Sequence, residues 1–403
     1  MMKWEQRLQA FIAGHAIAFG YAAALLLGAF LKYSYLPFLS ADVKFLNAPW
    51  IDAIKQGGMG AVLDPELQFN YSPLSLYIWT AAAALLGRLN SYVIVKLVCL
   101  TSDAFLCVMG TLLVRALLPK QNRPLGTFLA FLLLWLNPVL LWNAAAWGQF
   151  DTGYAGLCVL AVWLLVKEKP VPALVAMGFA LSMKLQAAFL LPLFLYAWFC
   201  GKKKFSLLWF LLVPGIWVLS GVPMAAVGES PLYAVKVYLG QTGYYDKITW
   251  NYPNLYALMG DAMEGQKQMV SGMFSRTGMA FAIALLGGAA VWMLHDRISL
   301  EGRDILLLGA WCVLCCVFLM PRMHERYGMA GEVLLLCWAL CLRRPRGFVY
   351  VILSVLPVMS AYAYYLFKAS FFSLQLGGAM NLVLFLLLTW ELVRALRARR
   401  MAE

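Results

Sequence analysis

The chain has 403 residues, of which 63% are hydrophobic and only 13% charged, against about a quarter charged in a soluble globular chain. That balance excludes water as its main solvent. The formal charge of +13 does not point to nucleic acid, because the basic residues stand in short clusters between apolar runs, where lysine and arginine hold loops on the cytoplasmic side of a membrane.

Apolar runs bounded by polar, proline or glycine breaks occur at 11–31, 92–116, 125–143, 152–166, 171–186, 187–200, 205–224, 278–294, 304–320, 327–342, 348–367 and 377–395. A crossing takes roughly 20 helical residues, so the pattern predicts an all-α polytopic bundle of about twelve transmembrane helices. The first run is too long, and too poorly followed by a small-residue cleavage site, for a removable signal peptide; it is expected to stay as an anchor.

With Lys3 and Arg7 inside, the inner loops hold Arg115, Lys120 and Arg123; Lys167 and Lys169; Lys202, Lys203 and Lys204; Arg297 and Arg303; Arg343, Arg344 and Arg346; and the tail Arg394, Arg397, Arg399 and Arg400. Both termini are then cytoplasmic in the cell membrane. Counting the apolar stretch Pro73 to Leu89 as a further crossing would put every later cluster outside, so it is read as an interfacial or re-entrant helix. Residues 32–91 and 225–277 become long outer segments, and 147–151 and 321–326 become short outer turns. No linker, low-complexity tract or internal repeat divides the chain, which reads as one domain over 1–403.

The first outer segment carries Ser40-Ala41-Asp42-Val43-Lys44, then Trp50 and Phe69-Asn70-Tyr71-Ser72-Pro73. Asp42 reads either as a solvated cap or as a functional carboxylate, and Trp50 and Tyr71 either as interfacial aromatics or as binding groups. The next outer turn is Trp147-Gly148-Gln149-Phe150-Asp151. A carboxylate at Asp151 needs solvent, a partner or a metal, and it is also placed to cap the helix that follows.

Lys184 and Gln186 interrupt the apolar stretch Ala180 to Ala187. A lysine at mid-depth costs roughly 2.5–3.5 kcal/mol, so Lys184 either snorkels to the headgroups or meets an anion in a polar cavity. The turn Pro321-Arg322-Met323-His324-Glu325-Arg326-Tyr327 packs two arginines and a histidine into few residues, a set suited to phosphate oxygens. His324-Glu325 lacks the second histidine a zinc motif requires. The nine cysteines lie in or beside apolar runs, and Cys312, Cys315 and Cys316 read as packing residues.

Taken in order, Asp42, Trp50, Tyr71-Ser72-Pro73, Trp147-Gly148-Gln149-Phe150-Asp151, Lys184-Leu185-Gln186 and Pro321 to Tyr327 resemble the bacterial integral membrane mannosyltransferases related to the second mannosyltransferase of GPI-anchor synthesis, in the GT-C superfamily. The resemblance implies a GT-C-type bundle, a polyprenyl-phosphate-linked sugar donor, a lipid or glycan acceptor, inverting transfer, and an outer active site. It places the general base on Asp42, though Asp52 stands close by and Ala41-Asp42-Val43-Lys44 departs from the usual aspartate-tyrosine context.

Elementary chemistry is consistent with that picture, since transfer from a lipid phosphate needs a carboxylate to take the hydroxyl proton and cations to stabilise the leaving phosphate. Lys184, Arg322, His324 and Arg326 are the candidate cations. Trp50, Tyr71, Trp147, Gln149, Asp151, Gln186 and Glu325 are candidates to touch sugar or acceptor. No cofactor is required, although Asp42 with Asp151 offers a place for a divalent metal. The rival readings are a transporter or flippase of a lipid-linked saccharide or anion, expected to keep its polar groups at mid-depth in broken helices, and a structural subunit of a membrane complex.

Overall fold

The computed structural model describes residues 3–241, 248–259, 267–342 and 344–399. Parts of the second outer segment, 242–247 and 260–266, lie outside the described residues, as do Arg343 and Arg400 of the basic clusters. The described residues form helices and no strand; the extended pairings are isolated bridges, Gly201 with Leu300 and His324 with Trp250 and Asn251.

Six helices are long and apolar enough to cross a membrane: Ala16–Ser34, Ser91–Leu117, Leu207–Val227, Gly272–His295, Arg346–Phe367 and Leu374–Arg397. The pair Lys120–Trp135 and Pro138–Trp147, bent by 44°, makes a seventh if it is one span. Asn137 causes the bend: its side chain caps the new helix at Val139 and Leu140, and Pro138 takes the first helical position, where its missing N–H is not needed. Shorter apolar helices at Pro73–Leu86, Asp151–Val166, Pro170–Met183, Leu185–Cys200 and Met329–Leu342 complete the set, with Arg303–Leu319. Each expected apolar run thus has its helix, but only half of the twelve meet the length of a full span on their own. The first run also starts differently, with a separate exposed helix Lys3–Gly14 ending before His15.

Burial sorts these helices into an inner and an outer set. Arg303–Leu319 and Met329–Leu342 are covered on nearly every face, whereas in Ala16–Ser34, Leu207–Val227 and Gly272–His295 only 17% of the apolar window is buried. A helix apolar all round yet uncovered by protein is one that faces lipid. Inside the bundle Lys32 pairs with Asp103 at 2.6 Å and lies over the Trp135 ring.

The first outer segment is folded rather than loose. After Asp42 the chain makes a wide π-helical turn, Val43–Asn47, then the helix Ala48–Gly57, two 3₁₀ turns and the helix Pro73–Leu86. Trp50 locks it: the indole N–H donates to the Leu67 carbonyl at 2.7 Å, and its ring packs edge-on against Phe69 and Tyr71. Pro73–Leu86 has 14 residues, about 21 Å of helix against a ~30 Å hydrocarbon core. It is tied to the bundle through Ser72 and Ser75, both of which donate to the Met183 carbonyl at the end of Pro170–Met183.

Candidate active site

Asp42 stands half-buried just before the π turn, eight residues past the end of the first membrane helix at Ser34. Three donors from distant parts of the chain converge on its carboxylate. Trp147 Nε1 and Gln149 Nε2 donate to Oδ2 at 2.9 and 2.5 Å, and the Tyr365 hydroxyl donates to Oδ1 at 2.9 Å. A carboxylate offers about four lone-pair sites, so the triad orients the group and leaves an acceptor position for an incoming hydroxyl. Asp52 has a different duty: it is exposed and accepts from Ser91, joining the helix Ala48–Gly57 to the start of Ser91–Leu117.

The donors are themselves aimed. Tyr71 donates to Gln149 Oε1 at 2.6 Å, which turns the amide N–H₂ toward Asp42. Tyr365 stacks on Trp147 with ring centroids 4.2 Å apart, and the Arg326 guanidinium lies 4.7 Å from the same indole. Trp147 belongs to a second π-helical turn, Trp142–Trp147, which Gly148 ends in the left-handed conformation at φ 76°. A Cβ at Gly148 would overlap Val43 Cγ2, so only glycine lets the two π turns come together here.

Beside this triad is a buried ionic cluster. Asp151, 1% exposed, is paired with Lys184, with Arg326 Nε at 3.5 Å and with the Asn143 amide at 3.2 Å. Asn143 also donates to the Tyr362 hydroxyl at 3.1 Å. One carboxylate between two cations leaves positive charge over, and it lies next to the indole that holds Asp42. Glu325, fully buried, comes within 3.8 Å of Arg326, but burial pushes its carboxyl up to about 7 even against the pull of that guanidinium. Near neutral pH it is therefore only partly ionised and cancels part of the excess charge.

Several expectations change on this geometry. Trp50 and Trp147, read as candidates to touch sugar or acceptor, are 2% and 0% exposed, so neither offers an open ring face. His324 is no cation: burial, then the charges of Arg326 and Lys184, hold its imidazole down at about 2. Its backbone instead bridges to Trp250 and Asn251, joining the middle of the second outer segment to the 321–326 turn. Arg322, at φ 63°, is half-exposed and donates its backbone N–H to the Ile248 carbonyl at 2.6 Å. Gln186 is half-buried with its amide oxygen unpartnered among the described residues.

The possible metal does not fit the donor set. Asp42 is engaged by three neutral donors and Asp151 by two cations and an amide, and no group of three histidine, cysteine or carboxylate side chains converges among the described residues. Tyr365 and Asn143 escaped the sequence reading. Tyr365 looks like any interfacial tyrosine until the fold carries it 323 positions back to Asp42.

Residues 69–321, well over half of the chain, match the model of glycosyltransferase family 87. The chain belongs to glycosyltransferase family 87. The match takes in Tyr71, Trp147, Gln149, Asp151 and Lys184, begins after Asp42 and ends before Arg322. No curated protein matches this family 87 chain. It is thus a multi-pass helical membrane protein of a glycosyltransferase family, which implies a sugar donor and an acceptor as its substrates.

Proposed function

We propose that this family 87 protein is an inverting GT-C hexosyltransferase, with mannose the favoured sugar, that takes its sugar from a polyprenyl-phosphate donor and passes it to a lipid or glycan acceptor. The observation that carries the reading is the adjacency of a triad-held carboxylate with a free acceptor position to a buried, net positive cluster. Asp42 takes the proton of the acceptor hydroxyl as that oxygen attacks the anomeric carbon from the face opposite the phosphate. The carbon–oxygen bond to the lipid phosphate breaks, and its electron pair leaves with the phosphate. Arg326 and Lys184 supply positive charge for the departing oxygens, Arg322 adds charge at the open edge, and Asp151 holds the two inner cations in place. His324 and Gln186 line the wall as neutral groups, Glu325 as a partly ionised one, and Tyr71 acts through Gln149.

The convergence of Trp147, Gln149 and Tyr365 on one carboxylate, with Lys184 and Arg326 beside it, supports transfer over transport. The test is transfer itself. Purified protein in liposomes is given radiolabelled polyprenyl-phosphate mannose or glucose with extracted envelope lipid and glycan. Label is expected in the acceptor fraction with mannose favoured, and label that crosses the bilayer still attached to its lipid would replace the reading with a flippase.

We also propose that the chain forms a single domain with about twelve crossings in the plasma membrane, with both termini cytoplasmic and the Asp42 site outside; the distribution of lysine and arginine supports this. A cysteine placed at position 122 should resist a membrane-impermeant thiol reagent in intact cells and react once the cells are opened. Reaction in intact cells would invert the topology.

A further inference from the structure

The end of a helical turn leaves about four carbonyl oxygens without intrahelical partners, and in a dry interior each needs a donor. Four consecutive carbonyls close the π turn that carries Trp147, and every one accepts from a buried side chain. Ala145 and Ala146 take Lys96 Nζ at 2.6 and 2.7 Å, Trp147 takes Ser40 Oγ at 2.5 Å, and Gly148 takes Asn47 Nδ2 at 3.0 Å. Ser40 and Asn47 flank Asp42 in the chain, so two of these bonds set the register between the base and the turn that orients it. Lys96 comes from a third element, the helix Ser91–Leu117.

The other interior lysines sit on carboxylates, Lys32 on Asp103 and Lys184 on Asp151. Lys96 is 0% exposed, forms no ion pair among the described residues and spends its donors on the two carbonyls. A buried ammonium without a counter-ion is an expensive way to fill space. Its position beneath the turn, with Cε 3.8 Å from where a Gly148 Cβ would stand, ties it to the residues that aim at Asp42.

We infer that Lys96 is a positioning residue for glycosyl transfer: it clamps the carbonyl end of the Trp142–Trp147 turn and so holds Trp147 and Gln149 in line with Asp42. The inference rests on the transfer reading above. Lys96→Met, which keeps length and removes every donor, should lower kcat by about 10–100-fold while the donor KM changes less than about two-fold, because the aim of the base rather than donor binding is disturbed. Lys96→Gln, which restores N–H donors without charge, should recover part of that loss. Hydrogen exchange followed by mass spectrometry should show the 143–150 segment exchanging faster in Lys96→Met, while helices remote from the site keep their protection.

Wild-type kcat in Lys96→Met would overturn the inference, as would a fall in kcat matched by equal deprotection of the whole bundle. If the wild type transferred no sugar from either polyprenyl-phosphate donor, the transfer reading would fail, and the exchange experiment would still decide whether Lys96 holds the turn.

Discussion

Asp42→Asn should lose about 10²–10⁴-fold in kcat, the usual worth of general-base help, with folding and membrane insertion intact. The geometry explains why asparagine is a fair substitute. Its amide oxygen can keep the bonds from Trp147 Nε1 and Gln149 Nε2, while its N–H₂ faces Tyr365, whose hydroxyl turns to accept instead of donate. Shape and contacts survive, and only the ability to take a proton is lost. Asp52→Asn is the matched control, expected to keep normal turnover because Asp52 bonds to Ser91 away from the triad. Turnover kept in Asp42→Asn and lost in Asp52→Asn would reverse the assignment, and two active variants would remove the general-base mechanism.

The second large effect is expected at Asp151. Removing one partner of a buried ionic group leaves uncompensated charge and typically costs about 3–5 kcal/mol; at Asp151 two cations lose their counter-ion together. Asp151→Ala should therefore melt well below the wild type in detergent and yield less folded protein. Adding Lys184→Met takes away one of the stranded charges, so the double variant should regain part of the melting temperature, a coupling that a double-mutant cycle reads directly. Transfer should stay low in the double variant: the net charge of the cluster is unchanged, but the Lys184 ammonium is gone and Arg326 has lost the carboxylate that holds it in place. Additive losses of stability would mean that Lys184 and Asp151 do not act as a pair.

The sequence by itself determined the class of protein and the place of its helices, because hydropathy and breaker residues are local signals that survive any packing. It also singled out Asp42, Gln149, Asp151, Lys184 and Arg326, since polar groups in an apolar chain are costly and therefore conspicuous, while the family resemblance put the base on Asp42 and drew in Trp147. The same argument applied to the run 92–116 would have picked out Lys96 and Asp103, which the reading passed over as parts of a crossing.

How these residues are partnered and covered is set by tertiary structure alone. Asp42 meets its partners across 105, 107 and 323 positions of chain, distances over which no periodicity carries information. Whether an aromatic ring is a platform or a wedge depends on what covers it, and Trp50 and Trp147 are covered. Whether a histidine is a cation depends on its solvent and its neighbouring charges, and burial beside Arg326 and Lys184 keeps His324 neutral. The residue types were local facts; charge state, exposure and partnership are properties of the packed bundle.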